Sequence, residues 1–554
     1  MVEASTSAKI EPSGETISFR PAGNTPALFS KFLKQARRFD ILAGWLLLTS
    51  VNLCYHHLIP LDETRYAAVA WEMWSRHDFL VPHLNGVPYH HKPPLLFWLY
   101  NLGWSLFGVN EPWLLLISPL CGLASLYWVR YLASLLWPGN EACARMAPWL
   151  LLGSLIWGAF MNGAMFDTLL VLCVLLAMTG LIKASGTLSW RHWTLFALGC
   201  GLGLLTKGPA VFVYLLMPYL LGGLWSGTAQ TQAARWYLHG GLALFGGIAM
   251  ALCWAIPAIQ SAGENYGGTL LWHQTVDRMI NSFAHRRPIG WYLTWAPVIL
   301  FPWFFWPRLW RQAFRSVRLE DPAFRFCLLW FASGFVGFSL ISGKQIHYLL
   351  PLMPALALLL SRISGTEKFE FRPGDLLPYL VIGAAGILLL TLPAIPGLKL
   401  YYWLDNRKAW WAWIILSIGL GGIMLALKTR RTTPYHYAVA VVLGLTASLA
   451  GFFSSTGNAY DLQSAVRPLS AYFKDGEPLV WAGEYDGQFE FLMRLEAPLT
   501  VIKTGEMGGW LAQHPNGHVI FINSSLKMNA RRFKIDYAQP YREDWLIVLS
   551  GKNP

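Results

Sequence analysis

Ile41-Leu-Ala-Gly-Trp-Leu-Leu-Leu-Thr-Ser-Val-Asn-Leu-Cys54 is an apolar run without a charge, and Leu61-Asp-Glu-Thr-Arg-Tyr-Ala67 follows it six residues on. The first stretch reads as a helix entering a membrane. The second places two acids and an arginine at its outer end. Carboxylates at membrane depth are expensive, rare and usually functional. Residues 1–39 are polar and end in Lys31, Lys34, Arg37 and Arg38. No small-residue cleavage site follows the apolar run, so it reads as an uncleaved first helix with a cytoplasmic basic flank.

The rest of the chain continues the apolar theme. Of its 554 residues, 55% are hydrophobic and 13% are charged, and the mean hydropathy is +0.39. Soluble domains carry about 25% charged residues. This composition excludes a soluble cytosolic enzyme, a disordered chain and a nucleic-acid binder. The net charge of +13 is expected in cytoplasmic loops, with no nucleic-acid partner. The seven cysteines show neither CxxC pairing nor metal spacing and read as small buried hydrophobes.

A spanning helix needs about 20 mostly apolar residues, and about thirteen stretches meet that measure. Their centres lie near Leu48, Gly122, Leu155, Val174, Leu198, Tyr214, Ala249, Val298, Phe335, Ala355, Ala385, Leu416 and Val442. Basic residues crowd the loops that this count puts inside: Arg308, Arg311, Arg315, Arg318 and Arg325, then 362–372, then Lys428 to Arg431. The pattern is positive-inside. The expected organisation is a cytoplasmic segment over 1–39, a membrane domain over 40–456 and a soluble periplasmic α/β domain over 457–554. Two long outer loops, 60–111 and 261–290, are expected to carry the site. Within the first, Glu63–Arg76 and Leu95–Val109 read as interfacial helices. In the C-terminal region, Pro478–Trp481, Phe489–Leu495, Leu499–Ile502, His518–Ile522 and Trp545–Leu549 read as strands between turn signals.

Six groups of chemistry-bearing residues fall on the predicted outer face. Asp62, with Glu63, Arg65 and Tyr66, follows the first helix; helix capping and dipole stabilisation would also explain the acids. Asp167 follows the turn at Asn162-Gly163, again as a cap or as a second acid in the same cavity. Tyr89-His-His-Lys92-Pro-Pro offers a phosphate-binding lysine, or one snorkelling to headgroups. His91 joined to His285 or His273 would make a site for a divalent metal ion. Lys207 stands beside the Gly208-Pro209 break, where a cation would meet an anionic ligand or simply mark a helix break. Arg278, Arg286 and Arg287 cluster beside aromatics, suited to phosphate recognition or to lipid headgroups. Lys344 and Tyr348 lie four apart at another outer helix end, as a ligand pair or as interfacial anchors. Together the groups describe a site for an anionic, lipid-linked substrate. No Walker motif, GxGxxG, HExxH or GxSxG stands in a suitable context.

Asp62-Glu-Thr-Arg65-Tyr66-Ala, Tyr89-His-His-Lys92-Pro-Pro, Asp167, Thr206-Lys207-Gly208 and Lys344-x-x-x-Tyr348-x-x-Pro together resemble the GT-C membrane glycosyltransferases. The branch is that of bacterial lipid A aminoarabinose transferases and protein O-mannosyltransferase relatives. The resemblance implies a GT-C helical fold, an undecaprenyl-phosphate sugar donor, a periplasmic site, an inner-membrane location, and lipid A phosphate as acceptor. It implies Asp62 as principal catalytic carboxylate and Asp167 as second acid. It implies Arg65, Lys92, Tyr348 and Tyr89 as ligands of the donor phosphate, and Lys207 and Lys344 belong to its motifs. One departure is His91, where aminoarabinose transferases tend to have Glu; imidazole replaces a hard oxygen as a possible cation ligand. Another envelope glycan or a protein hydroxyl is the alternative acceptor. A lipid-linked sugar transporter would want acids near the midplane and paired repeats, and neither is read here. A non-catalytic sensor or scaffold would not need Asp62 and Lys92 in the membrane-side loops.

Overall fold

The computed structural model describes residues 40–268, 286–315, 319–364, 371–396, 398, 401–526 and 533–551. The principal helices of the first half are α1 Asp40–Tyr55, α2 Asp62–Ser75, α3 Leu95–Phe107, α4 Glu111–Leu136, α5 Glu141–Leu152, α6 Leu155–Phe160, α7 Asp167–Ala184, α8 Trp190–Lys207 and α9 Val211–Leu220. They continue with α10 Ala233–Ala262, α11 Pro322–Leu340, α12 Met353–Ser364, α13 Leu377–Thr391, α14 Ala409–Thr429, α15 Pro434–Thr456 and α16 Gln463–Lys474. Among the described residues, nine helical stretches are long and apolar enough to cross a membrane, with α8 and α9 forming one of them. The shorter apolar run Ile41–Tyr55 adds the entry helix. All seven cysteines are free thiols.

Two of the expected centres fall at breaks. Leu155 begins the short α6, after Gly153 and Ser154 end α5. Val298 lies in one of two single-turn helices, Trp291–Thr294 and Ala296–Ile299. Pro288, Pro297, Pro302 and Pro307 punctuate that segment, and proline denies the helix its backbone donors. Hydropathy alone registers none of this.

The helices pack through small residues. A Cβ on Gly180 would lie 2.6 Å from the backbone of His192 and Phe196, and one on Gly199 would run into the backbone of Ala177 and Cys173. In a membrane, where lipid tails are as apolar as leucine, such close approach drives helix association. Here it clamps α7 to α8, whose adjoining ends carry Asp167 and Lys207.

The expected interfacial stretches form α2 and α3. With the start of α4 they build a separate apolar core that includes Tyr66, Trp71, Phe97, Trp104 and Phe166. Phe491 from the C-terminal region completes it. That region holds a five-stranded sheet in the order β4-β3-β5-β7-β6, with β3 Leu479–Ala482, β4 Thr500–Ile502, β5 His518–Asn523, β6 Lys534–Tyr541 and β7 Asp544–Ser550. A small hairpin, β1 His83–Leu84 with β2 Val87–Pro88, precedes it in the first loop. Strands β3, β4 and β5 run parallel, while β7 pairs antiparallel with β5 and β6. Period-2 alternation serves both faces: Trp481, Ile520 and Val548 enter one core, and Val480, Phe521 and Ile547 the other.

The strand expected at Phe489–Leu495 is instead a helical turn, Glu490–Met493, closed by Arg494 at φ 55°. Its Glu, Leu and Met are good helix formers, and it bridges two cores: Phe491 enters that of α2 and α3, while Leu492 and Met493 pack against that of the sheet. Strand β6 escaped the reading because its Lys, Asp, Gln and Pro obscure the alternation. It is an edge strand, where proline is tolerated.

Candidate active site

Asp62 opens α2 but does not cap it. The N-cap is Leu61 and no side-chain cap bond is present. The Asp62 carboxylate is 58% exposed, 3.6 Å from the Arg65 guanidinium. Arg65 also reaches Asp486 of the C-terminal domain, at 3.4 Å. Glu63, the next residue, turns inward. Its carboxylate lies 2.8 Å from His56 Nε2 and accepts from Ile59 N at 2.9 Å and Ala164 N at 2.8 Å. His56 in turn lies 2.8 Å from Asn52, whose amide donates to Asn162 O. Hydrogen bonds to charged groups contribute about 1.5–3 kcal/mol each. This buried network ties the C-terminal end of α1, the start of α2 and the turn before α7 into one frame.

Asp167 opens α7, again without a capping bond, behind the N-cap Phe166. Its carboxylate is 3% exposed and lies 2.5 Å from the Lys207 ammonium. The Lys207 ammonium sits 4.8 Å from the Tyr348 ring centroid. Tyr348 is fixed from behind, where Tyr214 donates to its carbonyl at 2.7 Å. Lys92 lies over the Phe166 ring at 5.8 Å. Tyr66 stands edge-on to the same Phe166 ring, 5.0 Å between centroids. Burial pushes the Tyr66 hydroxyl well above the ordinary tyrosine range, and Asp62, Tyr89 and Asp167 push it further. Tyr66 therefore stays protonated.

His347 is the residue the sequence reading passed over. It feels the charges of Asp167, Lys207, Lys92 and Asp62 and packs against Tyr348 at 4.8 Å and Phe160 at 5.6 Å. Its only signal in the sequence is its place beside Tyr348. Tyr89 is buried, with its ring 5.2 Å from His91 and 6.2 Å from Phe97, and it acts electrostatically on Arg65.

The site thus gathers Asp62, Arg65, Tyr89, Lys92, Asp167, Lys207 and Tyr348 from separate segments. Lys344 stands apart from them. It is buried, and its ammonium donates to the carbonyls of Arg287 at 3.1 Å and Ile341 at 2.5 Å. Arg286 bridges Gly343, Arg287 N donates to Ser342 O, and both arginine residues are exposed. Lys344 thus pins the returning loop. Arg278, His273 and His285 lie outside the described residues, as do Lys31, Lys34, Arg37, Arg38 and Arg318. Among the described residues, no group of three or more His, Cys, Asp or Glu is arranged to hold a metal ion.

Three comparisons bear on this arrangement. A family profile described as dolichyl-phosphate-mannose-protein mannosyltransferase matches residues 91–254. The undecaprenyl phosphate-alpha-4-amino-4-deoxy-L-arabinose arabinosyl transferase of Edwardsiella ictaluri is 29% identical over 519 residues, 85% of this chain and 92% of that one. The protein of the same name from Pseudomonas aeruginosa is 31% identical over 375 residues, 65% of each chain. The crystal structure of ArnT from Cupriavidus metallidurans bound to undecaprenyl phosphate superposes with a TM-score of 0.74 at 18% identity, covering 95% of this chain and 98% of that one. Its apo form gives a TM-score of 0.72. The helical GT-C architecture with a small C-terminal sheet domain is therefore shared, and the family resemblance carried by the motifs is borne out.

Proposed function

We infer that this chain is a membrane glycosyltransferase of the arabinosyl transferase kind, taking an amino sugar from undecaprenyl phosphate and placing it on lipid A phosphate. The observation that carries the reading is the meeting of Asp62, Arg65, Lys92, Asp167, Lys207 and Tyr348 at one end of the helix bundle. That bundle has the fold of a protein crystallised with undecaprenyl phosphate.

In the reaction, an acceptor oxygen attacks the anomeric carbon from the face opposite the leaving group, with inversion. The bond from that carbon to the phosphate oxygen breaks, and its electron pair leaves with the polyprenyl phosphate. Lys92 and Arg65 neutralise the charge that develops there, a stabilisation that grows toward the transition state. Lys207 pairs with Asp167 beside them, with Tyr348 walling the space. Asp62 is open to solvent and to incoming substrate. With a phosphate acceptor, already ionised, no proton has to be removed, and Asp62 stabilises positive charge on the sugar. With a hydroxyl acceptor it is the general base.

The described basic residues Arg308, Arg311, Arg315, Arg325, Arg430 and Arg431 support a cytoplasmic side opposite the site. The site and the C-terminal domain then face the periplasm from the inner membrane.

Mass spectrometry of lipid A, from cells with and without the intact gene, tests the acceptor. Loss of an amino-pentose mass from a phosphate is expected. The mannosyltransferase description of the matching profile favours a second reading, transfer to a protein hydroxyl. Unchanged lipid A, with the protein expressed, selects that reading or another envelope glycan. Purified Asp62→Asn is expected to lose transfer at least a hundredfold, within the range of roughly 10²–10⁴ for an acid–base group. Full activity of that variant overturns the assignment.

A further inference from the structure

The C-terminal domain touches the candidate site through the carboxylate of Asp486, which lies 3.4 Å from Arg65 Nη2. The Asp62 carboxylate lies 3.6 Å from the same nitrogen. Two acids thus share one nitrogen of one cation, and they come from different parts of the fold. Asp62 stands one turn before Arg65 on α2. Asp486 belongs to the segment between β3 and the helical turn Glu490–Met493.

That segment is held at both ends of the contact. Asp486 N donates to Gln488 Oε1 at 2.9 Å. Gln488 is buried, and its amide donates to the Tyr541 hydroxyl of β6 at 3.4 Å. Between them Gly487 has φ +78°, and a Cβ there would lie 3.5 Å from Arg65 Cα. The segment therefore rests on α2 at Arg65 itself, and a buried scaffold delivers Asp486 to the guanidinium.

Opposite charges one turn apart on a helix attract each other. With Asp62 as its only acid, Arg65 would close onto it, and each would cancel the charge of the other. Those are the acid expected at the sugar and a cation expected at the phosphate. Asp486 opposes that closure. Burial works against the Arg65 charge, and among the groups that sustain it Asp486 acts more strongly than Asp62. Arg65 also keeps donors in reserve. A guanidinium has several N–H donors, yet both ion pairs fall on Nη2. Its Nε is buried with no hydrogen-bond partner among the described residues. An unpaired buried donor is costly, and a phosphate oxygen would satisfy it.

We propose that Asp486 is a positioning residue: it holds Arg65 off Asp62 and toward the donor phosphate, so that the C-terminal domain completes the site. The proposal rests on the transferase reading above, and binding tests it apart from transfer. The probe is undecaprenyl phosphate, titrated against the full chain in nanodiscs, with undecaprenol, which lacks the phosphate, as control. The parent, Arg65→Gln, Asp486→Asn and the double variant form a double-mutant cycle. Asparagine has the shape of aspartate and keeps the backbone bond to Gln488. Asp486→Asn is expected to weaken binding of undecaprenyl phosphate about fivefold on its own and to change nothing in the Arg65→Gln background. Undecaprenol should bind all of them alike. Unchanged binding by Asp486→Asn overturns the proposal. So does tighter binding, the result of merely removing a negative charge near a phosphate. An equal loss in the Arg65→Gln background, or a loss shared by undecaprenol, assigns Asp486 to packing and overturns it too. If Arg65→Gln leaves undecaprenyl phosphate binding unchanged, the placing of Arg65 at the donor phosphate fails, and this proposal with it. If Arg65→Gln weakens binding and Asp486→Asn does not, that placing stands and only the role of Asp486 fails. A chain that follows the expected cycle yet transfers nothing loses the transferase reading and keeps this one.

Discussion

Asp62 and Asp167 carry the same charge in opposite surroundings. Asp62 is exposed and, among the described residues, its one ion pair is with Arg65, at 3.6 Å, so Asp62→Asn should leave the melting temperature unchanged while removing transfer. Asp167 is buried against Lys207 at 2.5 Å. Removing one partner of a buried pair strands the other charge, at a cost of roughly 3–5 kcal/mol. Asp167→Asn and Lys207→Met should each lower stability by that order. The double variant should recover much of the stability and none of the activity, as read by thermal unfolding and a transfer assay on the same preparations. Glu63 has a third role. It carries no substrate chemistry but receives bonds from both sides of the frame, so Glu63→Ala should destabilise by about 2 kcal/mol or more and reduce transfer through misplacement of Asp62.

At the scale of elements, two close approaches hold the site together. The first is α7 against α8 through Gly180 and Gly199. Gly199→Leu should separate Asp167 from Lys207 and lower both stability and transfer, whereas Gly421→Leu, whose Cβ position is open, should do neither. The second is α2 against the C-terminal domain. Gly487 has φ +78°, and a Cβ there would lie 2.7 Å from Leu84 Cδ1 and 2.8 Å from Ala68 Cβ. Around it, Trp71 donates to Leu495 O at 2.7 Å, Asn85 exchanges bonds with Leu499, and Trp104 stacks on Phe491 at 5.4 Å. Gly487→Val should destabilise the junction by roughly 1–3 kcal/mol through overpacking. Faster hydrogen exchange in α2 and in β3 would register it.

The molecule as a whole is a helical body and a small C-terminal sheet domain joined at α2. One acid at that joint makes the union sensitive to pH. Glu490 is buried, with Tyr485 donating to one carboxylate oxygen at 2.8 Å. Burial raises its carboxyl from the ordinary 4.5 to about 7, and the nearby Glu72 adds to the rise. A carboxyl raised in the folded state is stabilising while it is neutral in both states. That contribution is complete below about 4.5 and is lost as pH climbs through about 7. Thermal stability of the sheet domain should therefore fall across that window. Glu490→Gln should flatten the dependence, because its side chain is neutral at every pH.

The sequence by itself determined the membrane class, the helices α2 and α3 of the first long loop, the C-terminal sheet domain and most of the residues that meet at the site. Each of these is written in local composition: apolar length, helical or alternating period, and acids and cations placed at apolar ends. Only the tertiary structure decided that Glu63 faces inward to Ala164 while Asp62 faces outward, that Asp167 is paired with Lys207 from another helix, and that Lys344 serves backbone carbonyls. It also brought His347 and Asp486 to the site and broke the runs at Leu155 and Val298. The breaks at Leu155 and Val298 follow local glycine, serine and proline, which hydropathy does not weigh. For Asp167 with Lys207 and for Glu63 with Ala164 the reason is distance along the chain: the partners lie 40 and 101 residues apart, and their meeting is set by which helices approach closely enough to exclude lipid and water.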